Sequence, residues 1–331
     1  MYKIAKLSAS ERQELFQNTS AKVGMNAAVI EKDFWVCLTL DYLFHVCKWK
    51  NGFAFKGGTS LSKAYKVIDR FSEDIDLILD WRILGYKIDE PWEERSATKQ
   101  QKFIDDSRSR LFSFLKEDFV LEFKEGVSNA IDQPIDVYID PNDDGIVNFA
   151  YPSLYQAPSI LQVIRLEIGA LAAWTPTQFA IITPYAAETY PHLFEKMSTQ
   201  VLTTTAERTF WEKATILHQE ALRPEKSVIP DRYSRHYYDL YCMSRTPIKN
   251  SAINQPDLLD AVALFKERFY PRKWARYDLA RIGTLKLLPA KHSEKRLRQD
   301  YADMKAMIYG DYPSFEEILS EIKLLENEIN N

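Results

Sequence analysis

Sulfur is scarce in this chain. Cys37, Cys47 and Cys242 are odd in number among 331 residues and show no Cys-x-x-Cys spacing, so no disulfide framework or redox pair is expected. Their neighbours are apolar or aromatic, and all three are expected to be buried thiols. Long apolar runs are missing too. No segment reaches the roughly 20 residues that span a bilayer, and Met1 to Ser10 lacks the apolar core of a signal peptide. A cytoplasmic protein with no membrane partner is expected. No glycine-rich run leads into Gly-Lys-Ser/Thr, which excludes a Walker loop. Internal repeats and low-complexity segments are likewise absent.

The chain is rich in core-forming residues. At 46% hydrophobic it can build one large domain or two modest ones. The formal charge of −4 argues against indiscriminate binding to nucleic acid, but the average hides a local excess. Between Lys266 and Arg298, eleven Lys and Arg residues face three acidic ones, with Tyr270, Trp274 and Tyr277 interleaved. Such a mixture suits bases and phosphates, although aromatics at helical spacing also build cores.

Phe53 to Leu79 organises the rest. Phe53 to Phe55 is a short apolar run, Gly57-Gly58 a turn, and Leu61, Ala64, Tyr65 and Ile68 recur at helical spacing over Ser60 to Ile68. Asp74 and Asp76 then open a strand. Residues two apart share a strand face, so both carboxylates point one way and Ile75, Leu77 and Leu79 the other. Paired carboxylates repel unless a cation sits between them, and Mg²⁺ or Mn²⁺ suits oxygen ligands of this kind. Without Cβ atoms at the glycine pair, the N–H groups of Gly58, Thr59 and Ser60 can approach a phosphate at the start of the helix. Together these halves describe a metal-nucleotide site.

Strand, Gly-Gly, helix, Asp-x-Asp resembles the nucleotidyltransferase superfamily. More narrowly, Lys56-Gly-Gly-Thr-Ser-Leu-Ser-Lys63 followed by Arg70-Phe-Ser-Glu-Asp-Ile-Asp-Leu77 resembles the AbiEii/AbiGii (MenT-like) toxins, and later motifs extend the likeness to about Leu240. The resemblance implies an α+β nucleotidyltransferase fold, a mixed sheet with flanking helices, over 1–200, and a helical region over 201–331 closing one side of the cleft. It implies transfer of a nucleoside monophosphate from an NTP to an acceptor hydroxyl, with a tRNA 3′ end as acceptor, in a toxin–antitoxin or abortive-infection system with a cognate antitoxin. Lys56, Gly57, Gly58, Thr59, Ser60 and Ser72 would bind the nucleotide. Transfer to a protein hydroxyl uses the same chemistry, and a non-catalytic nucleotide-binding module is the alternative of another class.

Along the chain, helices are expected at Ser8 to Val23, Asn26 to Val46 with an Asn26 cap, and Glu93 to Glu117. Glu31 and Asp33 are expected on a solvated face. Strands are expected at Phe119 to Phe123, Ile135 to Ile139, Ile146 to Phe149 and Leu161 to Ile168, the middle two joined as a hairpin. Another lies at Gln178 to Thr183, framed by Thr175-Pro176 and Thr183-Pro184. The superfamily needs a third carboxylate from a neighbouring strand to complete the metal set or take a proton. Glu167, between Leu166 and Ile168 on a strand expected to be buried and ending in Gly169, is favoured over Asp136, with Arg165 as an available salt-bridge partner.

Downstream, Thr204 to Leu222 reads as a helix. The resemblance gives its Lys213 a contact with the triphosphate, where an ammonium offsets charge on the departing pyrophosphate. A solvated Lys213 paired with Glu212 or Gln219 is the plain alternative. Arg208 and His218 are expected in ordinary polar contacts. Ser234-Arg-His-Tyr-Tyr-Asp-Leu-Tyr241 resembles the family's Arg-Asp-x-Tyr-Asp-Leu, with His236 where many members have the first aspartate. Asp239 matches the second and is expected to orient Lys213 by an ion pair; Arg235 is placed to reach a phosphate. Helices follow at Asp257 to Phe269, Ser293 to Tyr309 and Ser314 to Glu328, the last with a Ser314/Glu317 capping box.

Overall fold

The computed structural model describes residues 1–72, 74–157, 160–171 and 176–331; Glu73 of the acidic motif and Thr175 lie outside the described residues. Two compact units divide the chain. One comprises Met1–Ala64 and Ser72–Thr203, the other Tyr65–Phe71 and Thr204–Asn331.

Among the described residues, seven strands form one mixed sheet: β1 (Phe53–Lys56), β2 (Asp74–Leu79), β3 (Asp136–Asp140), β4 (Asp143–Ala150), β5 (Ile164–Gly169), β6 (Thr177–Ile182) and β7 (Thr199–Thr204). Their order is β3-β4-β5-β2-β1-β7-β6. β2 runs antiparallel to β1 and parallel to β5, while β3 and β4 form the expected hairpin. This is the α+β arrangement anticipated from the motif. Phe53, Ala54 and Phe55 are fully buried because β1 is central and covered on both faces. By contrast, β2 begins with Asp74 and Asp76 half-open while Ile75 and Leu77 are buried, and β5 alternates in the same way with Arg165 and Glu167. One face of the sheet is therefore open beside these four residues.

Two helices precede β1. Asn26 caps α2 (Ala27–Asp41) as expected, and Ser8 closes a capping box with Glu11 at the head of α1 (Ala9–Val23). All but Ala27 and Val29 of α2 are buried, which makes it a core helix and not a surface one. That burial corrects the reading of Glu31 and Asp33. Glu31 accepts hydrogen bonds from the amides of Leu154 and Tyr155, and Asp33 pairs with Lys63 at 2.6 Å and accepts from the Tyr185 amide. Burial pushes the Asp33 carboxyl up, and Lys63 pulls against it.

Three further expectations fail for physical reasons. Phe119 to Phe123 is helical, not a strand: Phe123, Val127 and Ile131 bury one side of α4 (Val120–Ile131), which follows α3 (Ala97–Phe114), and Leu121 is exposed. The glycine-turn helix spans Gly57–Lys63 and does not continue to Ile68. Lys66 adopts a positive φ of 53° and the chain leaves the unit. Thr204, read as the start of the next helix, instead ends a strand, Thr199–Thr204, paired with β1.

The second unit is helical. Its longer elements are α5 (Ala206–Ala221), α6 (Arg235–Ser244), α7 (Pro256–Phe269), α8 (Lys291–Asp303) and α9 (Phe315–Asn330), the last opened by the Ser314/Glu317 box. Cys37 and Cys47 are buried as expected, whereas Cys242 is only half-buried. The excursion Tyr65–Phe71 is bound into this unit by its backbone. Arg70 pairs with Ile308, the Phe71 amide donates to the Met307 carbonyl at 2.7 Å, and Tyr309 donates to the Asp69 carbonyl at 2.9 Å.

The Asp33–Lys63 pair anchors the glycine-turn helix on α2. Removing one partner strands a buried charge, so Lys63→Met should cost about 3–5 kcal/mol, and the double variant Asp33→Leu/Lys63→Met should lose less. Urea unfolding of the three proteins checks this; a double variant as damaged as the single would refute it.

Candidate active site

The acid face follows from strand register. Asp76 lies opposite Lys56 on β1 and opposite Glu167 on β5, and Asp74 lies opposite Arg165. Directly opposed residues share a face, so Asp74, Asp76, Glu167, Arg165 and Lys56 project together. Arg165 Nε is 3.8 Å from Asp74 Oδ1 and its Nη2 is 4.0 Å from Glu167 Oε1. Glu167 is the more open carboxylate, its side chain 39% exposed, so it is not the buried group expected from its apolar neighbours. Asp136 stands elsewhere. It is exposed, pairs with Lys124 at 3.2 Å, and faces Ala150 at the far end of β4, about 13 Å along that strand from Ile146, the partner of Glu167.

The glycine turn abuts this face. Gly57 has φ +79°, and a Cβ there would lie 1.9 Å from Asp76 Oδ2. Only glycine lets the backbone approach the carboxylate so closely. Thr59 Oγ1 donates to the Asp74 carbonyl, and Ser60 Oγ donates to the Gly57 carbonyl at 2.8 Å. The first bond ties the turn to the acidic strand, and the second closes the turn on itself. Lys56 occupies the N-cap without a side-chain cap bond, so the first-turn N–H groups of Gly58, Thr59 and Ser60 lack the usual side-chain acceptor. Ser72 is half-buried two residues before Asp74.

Among the described residues, no three His, Cys, Asp or Glu side chains converge as a preformed metal cage. The donor set still fits Mg²⁺ or Mn²⁺. Mg²⁺ usually takes one or two carboxylates and completes its octahedron with water and phosphate oxygens. Asp74 and Asp76 share a face, Glu167 is the register neighbour of Asp76, and the bare Cα of Gly57 leaves room beside Asp76.

The second unit builds a separate cluster around Asp239, which is fully buried on α6. Arg70 grips it with a fork, Nε to Oδ1 at 2.6 Å and Nη2 to Oδ2 at 2.9 Å. Lys213 Nζ on α5 lies 2.8 Å from Oδ2 and 3.2 Å from His236 Nδ1. Burial alone would raise the Asp239 carboxyl, but Arg70 and Lys213 hold it well below the ordinary carboxylate range. Burial also pulls the Lys213 ammonium down; Asp239 acts against that and Arg70 with it. His236 is pushed well below its ordinary value by burial, then by Lys213 and Arg235. It is therefore neutral, and its Nδ1 accepts from Lys213. Lys213 is thus neither solvated nor paired with Glu212 or Gln219. Arg208 pairs with Glu212 at 3.0 Å, and His218 bridges the Arg276 carbonyl and the Lys286 amide, ordinary contacts as anticipated.

Arg70 is the residue that sequence reasoning passed over. It stood inside the quoted motif, but its partner lies 169 positions away, beyond any local pattern. A surface groove lined by Ile4, Leu7, Leu15, Tyr190 and Leu193 contains none of the residues of either cluster.

Comparison with known proteins gives the family. No curated protein sequence matches the chain. Among solved structures it is similar to the nucleotidyltransferase toxin MenT4 of Mycobacterium tuberculosis, at 17% identity over 94% of this chain and 98% of that one, with a TM-score of 0.47. It is also similar to JHP933 of Helicobacter pylori, at 14% identity over 91% of each chain, with a TM-score of 0.42. The family profile described as nucleotidyl transferase AbiEii toxin, type IV toxin–antitoxin system, matches residues 41–321. By that match the chain belongs to the AbiEii nucleotidyltransferase toxins.

Proposed function

We propose that this toxin transfers a nucleoside monophosphate from an NTP to the 3′-terminal hydroxyl of a tRNA and releases pyrophosphate, in the cytoplasm and under control of a cognate antitoxin. The observation that carries the catalytic part is the register of β1, β2 and β5, which sets Asp74, Asp76 and Glu167 side by side against Gly57. The exposed Arg272, Lys273, Arg281 and Lys286 of the basic segment support an RNA acceptor over a protein one.

In this reading Asp74, Asp76 and Glu167 hold Mg²⁺ or Mn²⁺. When bound, the cation neutralises charge on the reacting phosphate and on the leaving pyrophosphate. Glu167, more open than Asp74, completes that set or takes the proton of the incoming hydroxyl. Lys56, Gly58, Thr59, Ser60 and Ser72 position phosphate oxygens, and Lys213 offsets the charge of the departing pyrophosphate. Asp239 orients Lys213 without touching the nucleotide. Positioning and electrostatics carry such a reaction, since phosphoryl chemistry asks little covalent work of the protein.

Incubation with each labelled NTP, Mg²⁺ and total RNA should mark RNA of tRNA size, and chelation should stop it. Asp76→Asn should lower the rate at least about 100-fold, the scale of losing one electrostatic partner of the transition state. Gly57→Ala should do likewise by displacing the Asp76 carboxylate. Label confined to protein would replace the RNA acceptor, and an unaltered Asp76→Asn would remove catalysis from the reading.

The protonated form of Lys213 is the useful one, and its pKa lies below the ordinary lysine value of about 10.4. Activity should therefore fall as pH rises through that lowered value. A kcat/KM profile with no alkaline limb below the ordinary lysine range, or one unmoved in Lys213→Arg, would refute this role.

A further inference from the structure

Among the described residues, the Asp239 cluster sets two buried cations against one carboxylate. Asp239 contributes −1, Arg70 and Lys213 contribute +1 each, and His236 is neutral; all four side chains are buried. Both oxygens of the carboxylate are taken by the Arg70 fork, at 2.6 and 2.9 Å. Such bidentate pairs are the strong, geometrically fixed kind. Lys213 shares only Oδ2, at 2.8 Å, and spends a second N–H on His236 Nδ1 at 3.2 Å. An ammonium has three donors. The third has no partner among the described residues, although the Lys213 side chain is 8% exposed.

If Arg70 were absent, Asp239 and Lys213 would form a closed neutral pair with little attraction for an anion. With Arg70 present, the carboxylate is already neutralised and the lysine charge is in excess. Arg235, at the start of α6, adds positive potential and sits half-buried. His236 reinforces the arrangement, since it orients Lys213 as an acceptor without supplying a negative charge.

We propose that Arg70 is a positioning residue that occupies Asp239 so that Lys213 keeps an uncompensated charge for the di- or triphosphate group of the nucleotide. Arg70 touches no substrate in this assignment. It acts through Asp239, and the fold supports it by binding the backbone on both sides of Arg70 to Met307, Ile308 and Tyr309. The inference rests on the nucleotidyltransferase reading, in which Lys213 meets the leaving pyrophosphate.

Binding of inorganic pyrophosphate to the full chain, measured by calorimetry, tests it. Arg70→Gln should weaken binding by about tenfold or more, the scale of one charge-assisted hydrogen bond, and Arg70→Lys should lose less because the charge remains. The decisive protein is Arg70→Gln/Asp239→Asn. It again leaves Lys213 as the one excess charge, so affinity should return toward wild type, whereas a merely structural Arg70 would leave the double variant worse than either single. Thermal unfolding run in parallel shows whether each variant is folded, and Arg70→Lys carries the comparison if the glutamine variant is not. A double variant no better than Arg70→Gln, an Arg70→Lys as weak as Lys213→Met, or a wild-type chain without measurable pyrophosphate affinity overturns the proposal. The broader reading fails separately, on NTP labelling that persists in Asp76→Asn.

Discussion

Crowding of like charge on one strand face is the constraint to which the first unit is shaped. Asp74 and Asp76 project the same way from β2, and register adds Glu167 beside them. Carboxylates so placed repel, and the local sequence supplies partial relief: Arg165 stands opposite Asp74, and Lys56 opposite Asp76. Among the described residues, two cations against three carboxylates leave this face net negative, which is the charge the proposed divalent cation would neutralise. The same constraint explains Gly57. A side chain there would collide with the Asp76 carboxylate, so the turn that starts the helix is built where no Cβ can be tolerated.

The second unit meets the opposite problem, since its cluster is buried and its surplus is positive. Asp239 is fully inaccessible, yet it is held ionised by two cations, which outweigh the desolvation that would otherwise protonate it. A buried pair made of Asp239 and Lys213 alone would be electrically closed. Three charges with one histidine acceptor are not, and the open valence is on a lysine.

Much of this was legible in the sequence because its signals are local. Gly57-Gly58 and Asp74-x-Asp76 fix their own geometry through φ and strand alternation, and Ser8, Asn26 and Ser314 mark their helix starts through side-chain caps. What escaped depends on partners far along the chain. Phe119 to Phe123 satisfies a strand pattern and a helix pattern equally, and only Val127 and Ile131 one and two turns later decide for helix. Thr199–Thr204 is polar enough to pass for loop, but burial beside β1 makes it a strand. Glu31 and Asp33 looked solvated because nothing nearby in sequence announces Lys63 or the amides of Leu154, Tyr155 and Tyr185.

His236 shows how a departure from a family pattern follows from charge. A carboxylate at that position would lie beside Lys213 and Arg235 and within the same buried cluster as Asp239. It would bring the negative charges level with Arg70 and Lys213, and the lysine would become one half of a closed pair. A neutral imidazole keeps the geometric service, since Nδ1 accepts from Lys213 at 3.2 Å, and adds no charge. Its own protonation is opposed by burial and by two neighbouring cations. With both Asp239 oxygens taken by Arg70, Arg70 and His236, 166 positions apart in sequence, meet in one cluster through Asp239 and Lys213.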